Sequence, residues 1–172
     1  MRVCIVGHSQ VPTSLDIPNG TVTVFRKPGA RVLNWRETSE LTEVFNHTFD
    51  LTFIWLGSND INESCVPKHI TTELNRYAQE VERRCHTKVV LIEVETRSYR
   101  SSPHFVCPLR YLHIRRSINT NLHFQRRFSL LSFGALKFEL ARDGVHFTSH
   151  SKQLIKQRFI DMIAMYRSGR RH

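Results

Sequence analysis

The sequence predicts an α/β fold built on a mostly parallel sheet. Two observations carry this: short apolar runs recur along the chain, and between them apolar residues repeat every three to four positions. Runs that are apolar nearly throughout mark strands covered on both faces. A chain of 172 residues can bury one sizeable core but not two. One domain is therefore expected over 1–167, with 168–172 as a basic, frayed tail.

Strands are expected at "RVCIV" (2–6), "TVTVF" (21–25), "LTFIWL" (51–56) and "KVVLIEV" (88–94), with a fifth at "FGALKF" (133–138). Leu41, Val44, Phe45 and Phe49 keep helical spacing, as do Ile70, Leu74, Tyr77, Val81 and Cys85. Pro67 suits the first turn of that second helix, where a missing N–H costs nothing. A third helix is expected at about 111–128 and a last one at about 149–167, with Ile155, Phe159, Met162, Ile163 and Tyr166 on one face. The stretch "ETRSYRSSPHFVCP" (95–108) follows the fourth strand. In open parallel sheets the carboxyl ends of strands line the ligand crevice, so this loop is expected to overhang a site.

Hydrophobic and charged contents of 40% and 23% are those of an ordinary globular chain, and no stretch approaches the roughly 18 apolar residues of a membrane span. The run "VCIV" is too short for a secretory leader. Cys4, Cys65, Cys85 and Cys107 have no C-x-x-C spacing, which argues against a zinc module or a disulfide framework. The remaining histidines likewise have no spacing that assembles a metal site. An intracellular, cytoplasmic location is expected.

The net charge of +10 is uneven, because residues 1–75 carry −2 and residues 76–172 carry +12. From Thr96 to Phe138 there is no acidic residue, while Arg97, Arg100, Arg110, Arg115, Arg116, Arg126, Arg127 and Lys137 all fall inside. Interleaved with Tyr99, Phe105, Tyr111 and Phe124, these arginines suit nucleic acid or an anionic membrane surface, although such a stretch also serves as a plain solvated face.

The first strand ends in "VGHSQVP". Ser9 there is a turn residue or a nucleophile, and only partners elsewhere decide between the two. Other strand ends supply such partners: "RKPGARV" with Gly29, "GSNDI" with Gly57, Asn59 and Asp60, and "RDGVHFT" with Asp143 and His146. Acyl transfer needs a nucleophile, donors for a developing oxyanion, a base and a group that orients the base. These residue types fill each role. Gly29 behind Pro28, Asn59-Asp60 and Asp143-Gly144 are also common turn formers, but no turn requires His146.

On these blocks the chain resembles the SGNH, or GDSL-like, hydrolase superfamily, whose four letters map to Ser9, Gly29, Asn59 and His146. The resemblance runs over nearly the whole chain. Gly57-Ser58-Asn59-Asp60 matches the family's Gly-x-Asn-Asp, Asp143 and His146 match its Asp-x-x-His, and "GHS" stands where Gly-Asp-Ser is usual. His8 thus replaces an aspartate, and Gly29 is assigned by position rather than by motif. The elbow G-x-S-x-G of α/β-hydrolases fails, because residue 11 is Val.

The resemblance implies a three-layer α/β/α sandwich with about five parallel strands in flavodoxin-like order. It also implies a serine esterase acting on small or lipid esters without metal or organic cofactor. Ser9 would be nucleophile, His146 base and Asp143 its orienting partner, with Ser9, Gly29 and Asn59 forming the oxyanion hole. "VGHSQVP", the intact "GSNDI", the compact length and the basic balance are similar to esterase domains encoded by LINE-type retrotransposons. Family members without catalytic residues bind RNA, so a non-catalytic RNA-binding domain is the alternative. Intact Ser9, Asn59, Asp143 and His146 count against it.

Overall fold

The computed structural model describes residues 1–97, 106–133, 138–142 and 146–169. Five parallel strands form one sheet: β1 (Arg2–Gly7), β2 (Thr21–Arg26), β3 (Leu51–Trp55), β4 (Lys88–Ile92) and β5 (Ser129–Leu131). Their order, β2-β1-β3-β4-β5, is flavodoxin-like. The fold class read from the sequence holds: the sheet lies between helical layers in a three-layer α/β/α sandwich.

Side chains alternate across the strands, so each strand feeds both cores. Cys4, Val6, Ile54, Leu56, Val89 and Leu91 face one side, where they pack with Trp35, Tyr77 and Ile118. Val3, Ile5, Phe53, Trp55, Val90 and Ile92 face the other and pack with Phe147, Ile155 and Phe159. The first core lies under α2 (Pro67–Cys85) and α3 (Pro108–Phe124); the second lies under α4 (Ser149–Arg167). Both tryptophans are buried.

α2 begins at Pro67 and α4 spans the predicted range, its first turn capped by the Thr148 hydroxyl, which accepts from Ser151 N. Four expectations need correction. The segment containing Leu41 to Phe49 is not one helix: 3-10 turns at Val32–Glu37 and Glu43–Asn46 flank the single α-turn α1 (Ser39–Thr42). Extended backbone at Thr38 and His47 interrupts it, so Phe49 reaches the core from a loop. α3 starts and ends before the expected 111–128, with Pro108 in its first turn and extended backbone at Gln125 closing it. β2 is an edge strand with Thr21 and Thr23 exposed, so it is not covered on both faces.

The fifth strand lies earlier than "FGALKF". Ser129–Leu131 pairs with Val90–Ile92, and beyond it the Glu93 carboxylate accepts from Ser132 Oγ at 2.8 Å and Phe133 N at 3.3 Å, which takes the chain out of the ladder. Residues 134–137 of that expectation lie outside the described residues. Residues 8–20 cross from β1 to β2 without a helix, and the cleft beside Ser9 lies between this loop and the start of α4.

Candidate active site

β1 delivers Ser9 through a close backbone approach. A Cβ on Gly7 would overlap the Trp55 carbonyl oxygen of β3, so glycine is required where the chain leaves the sheet. His8 N then donates to Trp55 O at 3.3 Å and Val11 N to His8 O at 3.2 Å, closing a turn that buries His8 and leaves Ser9 partly exposed. At the end of β3, Gly57 has φ +110°, a left-handed conformation that opens the 3-10 turn Ser58–Asp60. That turn points its two motif side chains in opposite directions.

Asp60 goes inward. Its carboxylate accepts from Val32 N at 2.9 Å and Leu33 N at 3.0 Å, satisfying the opening amides of the Val32–Glu37 turn. Burial pushes its pKa up, against those hydrogen bonds and the nearby Arg31. Asn59 goes outward, towards the turn that follows β2. There Ala30 N donates to Lys27 O at 3.0 Å, with Pro28 and Gly29 at the two central positions and Gly29 at φ +74°, the requirement of a type II turn.

Two contacts fix the Asn59 amide. Arg97 Nη1, which can only donate, reaches Asn59 Oδ1 at 2.7 Å; Asn59 Nδ2 donates to Ala30 O, which can only accept, at 2.9 Å. The amide therefore has one orientation. Its second N–H is left for another acceptor.

Beneath this surface lies a buried polar network. His8 Nδ1 accepts from Gln10 N at 3.3 Å, which places the ring proton on Nε2; that atom lies 3.4 Å from Glu95 Oε2 and 3.4 Å from Ser58 Oγ. Trp55 Nε1 donates to Glu95 Oε2 at 3.1 Å and Arg97 Nε to Glu95 Oε1 at 3.1 Å, while Arg97 Nη2 donates to Ser58 Oγ at 2.8 Å. Burial would raise the Glu95 pKa, but the attraction and hydrogen bonding of His8, the Arg97 charge and the Ser58 hydroxyl outweigh it. Glu95 is held well below the usual carboxylate range. α3 secures its backbone: Tyr111 Oη donates to Glu95 O at 2.9 Å, and Asn119 bonds both Val94 N and Val94 O.

His146 lies at the foot of a hairpin-like segment in which Ala141 N donates to His146 O at 2.7 Å and Thr148 N to Glu139 O at 3.0 Å. Phe147 N donates to Gln10 Oε1 at 3.4 Å, bringing this segment against the Ser9 turn. Among the described residues no hydrogen bond joins Ser9 Oγ to His146, a contact that in many enzymes tightens only with substrate bound. Asp143 lies outside the described residues. Ser9, Gly29 and Asn59 lie on the turns that follow β1, β2 and β3, and the segment with His146 contacts the Ser9 turn through Gln10; sequence reasoning missed Glu95. Its signal was available: it is the last acid, two residues after Glu93, at the carboxyl end of the fourth strand, just before the acid-free stretch.

A cleft of about 290 Å³ adjoins Ser9. Val11, Pro12 and Ile155 supply apolar surface, and Arg26, Lys152 and Lys156 line it as well. Arg26 Nη2 donates to Ser9 O at 2.9 Å, tying the turn that carries Ser9 to the end of β2. Among the described residues no three His, Cys, Asp or Glu side chains are grouped to share a metal ion.

The run of arginines is not one unneutralised surface. Arg97 turns inward to Glu95, and Arg115 Nε donates to Val94 O at 2.8 Å. Arg110 pairs with Glu63, and Arg127 with Glu82. The neutralising carboxylates precede the acid-free stretch in sequence but fold back onto it. Arg116 and Arg126 remain exposed and without an ion pair among the described residues; Arg100 lies outside them. Cys4, Cys65, Cys85 and Cys107 are all free thiols, and no described helix is long and apolar enough to cross a membrane.

Solved structures share this fold. An aryl esterase from M. smegmatis superposes with a TM-score of 0.75 at 14% identity, covering 95% of this chain and 98% of that one. A carbohydrate acetylesterase from Sinorhizobium meliloti gives 0.74 at 12%, covering 96% and 99%. A member of the lipolytic G-D-S-L family from Veillonella parvula gives 0.65 at 12%, covering 95% and 98%. The chain has the SGNH hydrolase fold. No family model matches the sequence, and no curated relative does either. Within the SGNH fold, the turns after β1, β2 and β3 and the segment before α4 meet at the carboxyl edge of the sheet, where such open sheets carry their ligands.

Proposed function

We propose that the chain is a serine ester hydrolase of the SGNH type, working through an acyl-enzyme. One observation supports this most: the Ser9 turn, the Gly29 turn, Asn59 and the His146 segment are tied together by the bonds Arg26–Ser9, Asn59–Ala30 and Phe147–Gln10. In this reading Ser9 Oγ attacks the ester carbonyl as its proton passes to His146, with Asp143 orienting the imidazole. The backbone N–H groups of Ser9 and Gly29 and the second N–H of Asn59 hold the oxyanion. The tetrahedral intermediate expels the alcohol, which takes the proton from His146. Water then attacks the Ser9 ester with His146 again as base, releasing the acid and restoring Ser9.

Small esters suit the 290 Å³ cleft, and its apolar surface would take a short acyl chain. Hydrolysis of p-nitrophenyl acetate and butyrate tests the reading. Ser9→Ala should lower the rate by roughly 10³-fold or more, leaving only residual stabilisation of the oxyanion.

The narrower placement among esterase domains encoded by LINE-type retrotransposons rests on sequence resemblance. Binding of RNA or an anionic membrane through the second half, the alternative reading, rests among the described residues on Arg116 and Arg126 once the inward-facing and paired arginines are set aside.

A further inference from the structure

We infer that Arg97, seated on Glu95, is a positioning residue that sets the oxyanion-hole amide of Asn59. This rests on the role proposed above for Asn59. Asn59 carries three polar sites, an oxygen and two N–H groups. Ala30 O takes one N–H, and the guanidinium takes the oxygen at 2.7 Å. Without Arg97, the oxygen loses its partner and the amide is free to rotate, or to flip and present a lone pair where an oxyanion would form. That would replace attraction by repulsion at the reacting centre.

Arg97 can hold Asn59 because it is itself held. Its three nitrogens are each committed, Nε to Glu95, Nη1 to Asn59 and Nη2 to Ser58, and its side chain is only 14% exposed. Glu95 is also bonded to Trp55 and lies against His8, the residue before the nucleophile. One buried carboxylate thus joins the nucleophile turn to the oxyanion turn, and a fork-shaped cation completes the link. A planar guanidinium presents its donors from three separate nitrogens in a fixed fork, whereas an ammonium offers its three from one point on a flexible stem.

A double-mutant cycle tests the inference. Arg97→Met fills the same space without donors. It should lower kcat by about 10- to 100-fold with KM nearly unchanged, as expected when a transition-state donor is misplaced by a fraction of an ångström. Arg97→Lys should restore only part of the loss. In an Asn59→Ala background, Arg97→Met should cost less than about twofold, because the group through which it acts is gone. If it costs the same factor with and without Asn59, or acts on KM alone, the inference is wrong.

Arg97→Met takes the Arg97 charge away from Glu95, so the pair Arg97→Met with Glu95→Gln repeats the cycle without an uncompensated buried charge. A readout independent of turnover keeps the inference separate from the esterase reading. The Asn59 side-chain amide, assigned by its loss in Asn59→Ala, should give two resolved, slowly exchanging proton resonances in the native chain. These should stay two lines, since rotation about the amide C–N bond is slow in any setting, but should shift and lose their protection from solvent exchange in both Arg97→Met variants. Unchanged resonances overturn the inference even if the chain is an active esterase; changed resonances in a chain without esterase activity support the positioning and overturn the function instead.

Discussion

His8 Nε2 lies 3.4 Å from Glu95 Oε2, and both side chains are buried. The acid comes from just beyond β4, 87 positions away in sequence. The pair sits directly behind the turn that carries Ser9. Four donors, on His8, Ser58, Trp55 and Arg97, converge on Glu95 and keep it ionised in the fold.

That ionisation predicts a pH dependence of stability. The folded pKa of Glu95 is lowered, whereas unfolded glutamate titrates near about 4.3. The contribution of Glu95 is therefore fully present above about pH 5 and is lost as pH falls towards the folded pKa, where the unfolded chain binds the extra proton first. Urea denaturation between pH 7 and pH 3 should show the native chain losing more stability than Glu95→Gln across the acid limb. Equal losses would mean that Glu95 is not held as an anion.

Asn59→Ala should lower kcat by about 10² to 10³ with little change in KM, the mark of a donor that acts in the transition state. Steady-state kinetics on p-nitrophenyl butyrate checks this. A change confined to KM would make Asn59 a substrate-binding residue.

Among the described arginines of the stretch, polyanion binding should reflect two, Arg116 and Arg126. With single-stranded RNA, log K falls against log salt with a slope of about −0.7 per neutralised phosphate, so Arg116 and Arg126 alone would give about −1.4. Arg116→Ser with Arg126→Ser should remove most of the binding, whereas Arg110→Ser and Arg127→Ser, which break pairs with Glu63 and Glu82, should not. A slope near −5 would restore the continuous basic face.

The parts legible in sequence were those written in local pattern. The apolar runs of β1, β3 and β4 announce strands covered on both sides, and Gly57-Ser58-Asn59-Asp60 announces its turn because only glycine takes φ +110° readily. What escaped was long-range. The pairing of His8 with Glu95 spans 87 positions and leaves no periodicity, and the carboxylates that neutralise the arginines come from outside their stretch. β5 was displaced because three residues make too short a run to stand out, and Glu93 rather than a turn motif ends it. Leu41 to Phe49 kept helical spacing although Thr38 and His47 are extended, since spacing records which residues are buried and not how the backbone carries them there.

Covalent capture of Ser9 by a fluorophosphonate, followed by peptide mapping, tests the central claim most directly, because only an activated serine beside a base and an oxyanion hole reacts rapidly. Stoichiometric labelling on the peptide containing Ser9, absent in Ser9→Ala and slowed in His146→Ala, is the predicted result. A folded chain that takes no label, or takes it equally well after Ser9→Ala, would contradict it.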